Sequence, residues 1–324
     1  MRPVRVLPVL GILVGCLSCG AMPAAPLRLA MPFWPAYDLA YLARDLGYYD
    51  PRRVELVETH YPLQVSRAYR YGAVDVAPLA LEEALYFGAA DPGQRIVLAI
   101  DFSTGGDAVV ARPGITSPQE VRGRSIAVEP TPLGAHMLAR YLDHAGLTRR
   151  DVTVLLVDLE DHLEYFRDGR ADVLITFEPV RGELIKLGGV EVFSSRQTPG
   201  AMADVLVVHD DTLNERLGDV VYLVEGWLRA VAYFRARPED AARRMAGRPG
   251  LGRTYRSPAE VLQALAGVEL LGVEENRSQL PDPDSSLWRA ARSVGALLDQ
   301  HGVPARLRHP ERLADLRPLE RVRP

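Results

Sequence analysis

From residue 20 onward the chain contains no cysteine. Disulfides and thiolate metal sites are therefore excluded from the folded body, since Cys16 and Cys19 are the only two cysteines in 324 residues. Lysine is nearly absent too: Lys186 stands alone among basic residues that are otherwise arginine. That argues against chemistry needing a lysine Schiff base. There is no excess of positive charge: the net charge is −4 and the pI about 6.0, which leaves no footprint for nucleic acid. No Gly-x-Ser-x-Gly elbow or phosphate loop occurs. The seven histidines are scattered without metal-ligand spacing, so no metal or other cofactor is expected. What is present is 48% hydrophobic and 25% charged, ample to bury a core and long enough for two lobes.

The single long apolar run is N-terminal. Arg2 and Arg5 precede about ten apolar residues, Val6–Gly15, too few to span a bilayer. This reads as a signal peptide over 1–15, with a lipidated linker over 16–26. Leu13-Val14-Gly15-Cys16 resembles a bacterial lipobox, which makes Cys16 the expected lipid attachment point; Cys19 is the alternative. An ordinary cleaved signal ending near Ala25 is the competing reading. Removal of the leader takes two positive charges with it, leaving about −6.

Beyond it, short apolar strands alternate with helical stretches, as in a largely parallel sheet covered on both faces. The pattern repeats. Leu42–Leu46 is echoed at Leu138–Leu142, Val54–Val57 at Val152–Leu155, and Gly72–Val76 at Gly169–Val173, with offsets of 96 to 98 residues. Two lobes on one plan are implied. After Asp204–Val208 the chain reads as helices without strands of their own, which need a sheet to pack on. Residues 27–102 with 204–324 then form one lobe and 103–203 the other. Two crossings make a hinge, and a ligand cleft lies between.

Four segments carry a resemblance: Asp101–Ala108, Val121–Glu129, Thr176–Pro179 and Ser194–Gly200. Together they resemble substrate-binding proteins of ABC importers for nitrate, sulfonates, taurine and thiamine pyrimidine precursors, the SsuA/THI5-like family. The resemblance spans about residues 27–235. It implies an α/β, two-lobed type II periplasmic binding protein with two hinge crossovers and a helical C-terminal part. It further implies a monomer, tethered by lipid in the periplasm or at the cell surface. Such a protein captures a small molecule and hands it to an ABC permease in the inner membrane. Two alternatives share the fold: a sensing module reporting to a membrane partner, and a pyrimidine-synthesising enzyme.

Family binding positions lie on loops at the carboxyl ends of strands, which here carry Phe33, Trp34 and Tyr37, then Pro78 and Leu79, then Asp101, Phe102 and Ser103. The second lobe contributes Glu129, Thr131, Leu133, Gly134, Phe177 and Glu178, and Asp204 follows the second crossing. Thr131-Pro132-Leu133-Gly134 reads as a helix N-cap with proline in the first turn. It is either a plain cap or an anion site at a helix start, and Glu129 argues against the anion. Acids beside aromatic rings suit a flat, amino-bearing or cationic ligand. Asp107 and Asp204 have a second reading, as backbone caps at the hinges.

Overall fold

The computed structural model describes residues 25–59, 61–246 and 255–323. The leader and both cysteines lie outside them. Eleven strands form two sheets among the described residues. Those of the first lobe are β1 (Leu27–Met31), β2 (Val54–Glu58), β3 (Val76–Ala80), β4 (Gln94–Ser103), β10 (Ala203–His209) and β11 (Val268–Leu270). Those of the second are β5 (Asp107–Ala111), β6 (Ser125–Val128), β7 (Thr153–Leu156), β8 (Val173–Phe177) and β9 (Val190–Ser194).

The first sheet runs β11-β4-β10-β3-β1-β2 and the second β9-β5-β8-β6-β7. Apart from β11 the two orders correspond strand for strand. β1 lies parallel between β2 and β3 as β6 does between β7 and β8. β10 runs antiparallel to β3 and β4, as β5 does to β8 and β9. The repeated glycines explain themselves locally. Gly72 and Gly169 sit at φ +68° and +70°, a left-handed conformation that closes a helix before β3 and β8 respectively.

The fold is thus the two-lobed type II arrangement, with helices on the sheet faces. Its C-terminal part departs from expectation, because it is not free of strands: Val268–Leu270 pairs antiparallel with Ser103–Asp101 at the edge of β4. A three-residue strand carries too little periodicity to be seen in sequence. The same pairing carries β4 on to Ser103. Asp101, Phe102 and Ser103 are therefore strand residues, not loop residues, and Pro78 and Leu79 likewise lie inside β3. The helix that follows begins at Leu81.

The first-lobe core is the larger. The helix Leu217–Ala236 lies on it, with Trp227 fully buried. No helix among the described residues is long and apolar enough to cross a membrane. Asn276 ties the C-terminal part to β4: its Oδ1 accepts from the Ala99 N–H at 2.7 Å, and its Nδ2 donates to the Ala99 carbonyl at 2.9 Å. Asn276→Ala leaves both backbone groups buried and unpaired. Urea unfolding is expected to show a loss of about 2–4 kcal/mol, one to two unpaired groups' worth.

Candidate functional site

Residues 104–106 and 195–202 cross between the sheets, and side chains stitch the crossings together. Ser103 Oγ and Ser195 Oγ are 2.8 Å apart, and the Gly105 N–H donates to Ser195 Oγ at 2.7 Å. The Thr104 and Gly106 N–H groups both donate to the Gly267 carbonyl, so the segment before β11 joins the hinge.

Between the lobes is a tightly closed chamber of about 40 Å³. Phe33, Trp34, Tyr37, Pro78, Ser103, Leu133, Phe177 and Asp204 line it. Pro32 and Pro35 hold the Trp34 loop stiff. The indole meets Phe177 of the opposite lobe edge to face, 6.1 Å between ring centroids. Its Nε1–H donates to Asp101 Oδ2 at 3.0 Å. Asp101 itself lies beneath the tryptophan and does not line the chamber. Phe102 packs in the first-lobe core. Glu129 and Thr131 flank the chamber on an adjoining groove, where Thr131 Oγ1 accepts from the Gly134 N–H at 3.1 Å and so caps its helix. Glu178 faces elsewhere: it binds Arg181 at 2.8 Å and lines a separate groove with Tyr255 and Glu260.

Asp107, a cleft acid whose second reading is a cap at the hinge, lines the chamber, and two further lining acids are not among the residues expected from sequence. Glu82 and Glu83 open the helix Leu81–Ala90, and both are buried. Glu82 Oε1 lies 2.5 Å from Nδ1 of His136, on the helix Pro132–Ala145 of the other lobe, and its Oε2 has no partner. One signal for these acids was available. The remainder of Leu81–Ala90 is apolar on every side apart from Tyr86, and a helix of that kind is buried with whatever acids it carries.

Charge in the chamber is of one sign. No arginine or lysine lines it. Burial, then the charges of Glu129 and Glu82, pushes the Glu83 carboxyl up to about 8. Burial raises Asp107 to about 7, with the Ser103 hydrogen bond opposing and Glu82 adding. Burial and then Asp158 raise Glu129 to about 7. Asp101 and Asp204 are partners across β4 and β10; burial first, then the charge of Asp107 on Asp101 and those of Asp101 and Asp107 on Asp204, drive both upward, so the pair holds a proton. Tyr37 stays protonated, chiefly through burial, and donates to Asp204. Among the described residues no three His, Cys, Asp or Glu side chains gather as a metal would require.

Gly106 lets the tryptophan lie against the hinge: a Cβ there would stand 2.6 Å from Trp34 Cη2. Gly106→Ala is expected to displace the indole from Asp101 at about 1–3 kcal/mol of overpacking. Indole fluorescence and a weakened ligand-induced rise in melting temperature would report it.

Solved structures share this architecture. The alkanesulfonate-binding protein SsuA from Xanthomonas axonopodis pv. citri, bound to MOPS, is 18% identical with a TM-score of 0.66, over 91% of this chain and 96% of that one. A ligand-binding component of an ABC-type import system from Staphylococcus aureus, with zinc bound, is 13% identical with a TM-score of 0.75, over 93% and 99%. The desulfurization enzyme DszB is 16% identical with a TM-score of 0.68, over 92% and 98%. At these identities the likeness is one of fold, and it embraces an enzyme as well as binding proteins. No curated protein sequence matches the chain. The family model described as NMT1/THI5 like matches residues 34–241, well over half the length, and the chain belongs to that family.

Proposed function

We propose that this protein is the extracytoplasmic substrate-binding component of an ABC importer. In this reading it is lipid-anchored through Cys16, or alternatively Cys19, and its ligand is a small cationic or amino-bearing molecule, most simply a flat heterocycle. Fold relatives that serve import systems or bind sulfonates support the transport role. The ligand class is carried by one observation: the chamber is lined by aromatic rings and by Glu82, Glu83, Asp107 and Asp204, with no arginine or lysine. A sulfonate or nitrate would find no cationic partner there. A cation gains from both the rings and the carboxylates. Binding needs no catalytic step, only contacts that favour the closed lobes.

The test is a thermal-shift panel on the chain lacking its leader and both cysteines. It would compare amines, aminopyrimidines, purines, flavins and polyamines with nitrate, taurine and alkyl sulfonates. A ligand at 1,000 times its Kd adds about 4 kcal/mol, enough to raise the melting temperature by several degrees. Amino compounds are expected to do so. A rise with sulfonate or nitrate alone would overturn the ligand class and return the Thr131 helix start as an anion site.

A further inference from the structure

The chamber continues into the second lobe as a narrow recess of about 10 Å³, room for a single small group. Asp107, Leu133 and Phe177 border both, and Glu129, His162 and Thr176 line the recess but not the chamber. His162 is fully buried and Thr176 is 2% exposed. Neither residue figures in the recognition described above.

The protonation of His162 follows from geometry. Its Nε2 lies 3.2 Å from the Val157 carbonyl, which can only accept, so Nε2 carries the hydrogen. Burial disfavours a second proton and holds the imidazole down at about 4. Nδ1 is then a bare lone pair, and it has no partner. Thr176 Oγ1 has none either. Along β8, Thr176 shares its sheet face with Leu174, which packs with Phe166 of the helix His162–Arg167; hydroxyl and imidazole therefore lie on the same side of the sheet. A buried polar atom left unpaired is costly. Two of them bordering one recess, beside carboxylates, ask for a group rich in N–H.

We propose that this recess is a distinct subsite that receives an amino or amidine nitrogen of the bound molecule, with His162 Nδ1 and Thr176 Oγ1 as acceptors. The proposal rests on the amino-bearing ligand class inferred above and adds where that group goes. It predicts a ligand with two ends: a flat or apolar body between Trp34 and Phe177, and an N–H group pointing into the second lobe.

The experiment is calorimetric titration with matched probes: adenine against purine, benzamidine against benzyl alcohol, and 4-aminopyridine against pyridine. The wild type, Thr176→Val and His162→Gln would be compared, with the melting temperature of each free protein recorded. Glutamine keeps a donor for the Val157 carbonyl and loses the ring acceptor. The wild type is expected to prefer the amino member of at least one pair tenfold or more. Each substitution should cut that preference by about tenfold while changing affinity for the parent compound less than threefold. Thr176→Val should melt no lower than wild type, because it removes an unpaired hydroxyl; a structural role alone would lower melting and spare the preference. Variants that keep the full preference would overturn the subsite and leave the ligand class standing. Absence of binding by every amino probe, with binding of an anion, would overturn both.

Discussion

Glu82→Gln is expected to weaken the affinity of any cationic ligand by thirtyfold to a thousandfold while leaving the free protein as stable as wild type or more so. The carboxylate is fully buried in the first turn of its helix, where the backbone dipole favours negative charge. One oxygen is held by His136 from the opposite lobe and the other is unpartnered beside the chamber. A ligand ammonium would complete the pair. Losing a desolvated charge contact of this kind costs about 2–4 kcal/mol, and each 1.4 kcal/mol is a factor of ten. The free protein loses little, since glutamine keeps the shape and removes one charge from beside Glu83 and Asp107. Calorimetry at neutral pH on the compounds that stabilise the wild type measures it. A loss below threefold would place Glu82 outside the ligand's reach.

The second large effect is on pH. Glu83 at about 8, Asp107 and Glu129 at about 7, and the Asp101–Asp204 pair are all raised above ordinary carboxyl values by burial. The folded, closed protein therefore binds more protons than the unfolded chain between about pH 4 and pH 8. Stability from these groups is fully present below the unfolded values and is lost as pH rises through the folded ones. The ligand-free protein should melt highest near pH 5 and fall steadily toward pH 8. Each group contributes at most about 1.4 kcal/mol per pH unit over that interval. Much of this repulsion acts across the cleft, Glu83 against Glu129, so parting the lobes relieves it without unfolding. Small-angle scattering should show a larger radius of gyration at pH 8 than at pH 5. Cation affinity should run the other way. A permanent cation selects the ionised carboxylates, displaces their protons and binds more tightly as pH rises to about 8. A melting temperature that climbs from pH 5 to pH 8 without ligand would contradict the assignment.

These acids also show where reading from sequence stops. Phe33 and Trp34 were legible because two prolines mark their loop, and the paired glycines revealed two lobes of one plan. Glu82 and Glu83 looked like the polar start of a helix; only the packing of a helix fifty residues away, with His136 on it, makes them interior. Asp101 looked like the end of a strand because it is polar, and pairing with β10 and β11, both far along the chain, carries the strand past it. Glu178 looked like a cleft acid beside a proline, but Arg181, one turn on, turns it away. In each case the deciding neighbour is either distant in sequence or a side-chain partner that spacing does not reveal.

The order of strands has a consequence for how the molecule assembles. The second sheet is continuous in sequence, from Asp107 to Ser194, whereas β10 sits between β3 and β4 of the first. The facing edges of β3 and β4 therefore stay bare until residue 203 has been made, and β4 waits again for residue 268. Closing such long loops is slow relative to local pairing. The second lobe is thus the natural first folding unit, and the first lobe spends the interval with two unpaired strand edges, the condition under which strands add to one another between chains. In pulse-labelled hydrogen exchange, amides of β6 and β8 should gain protection before those of β3 and β4, and aggregation during refolding should track the time taken for β10 to dock.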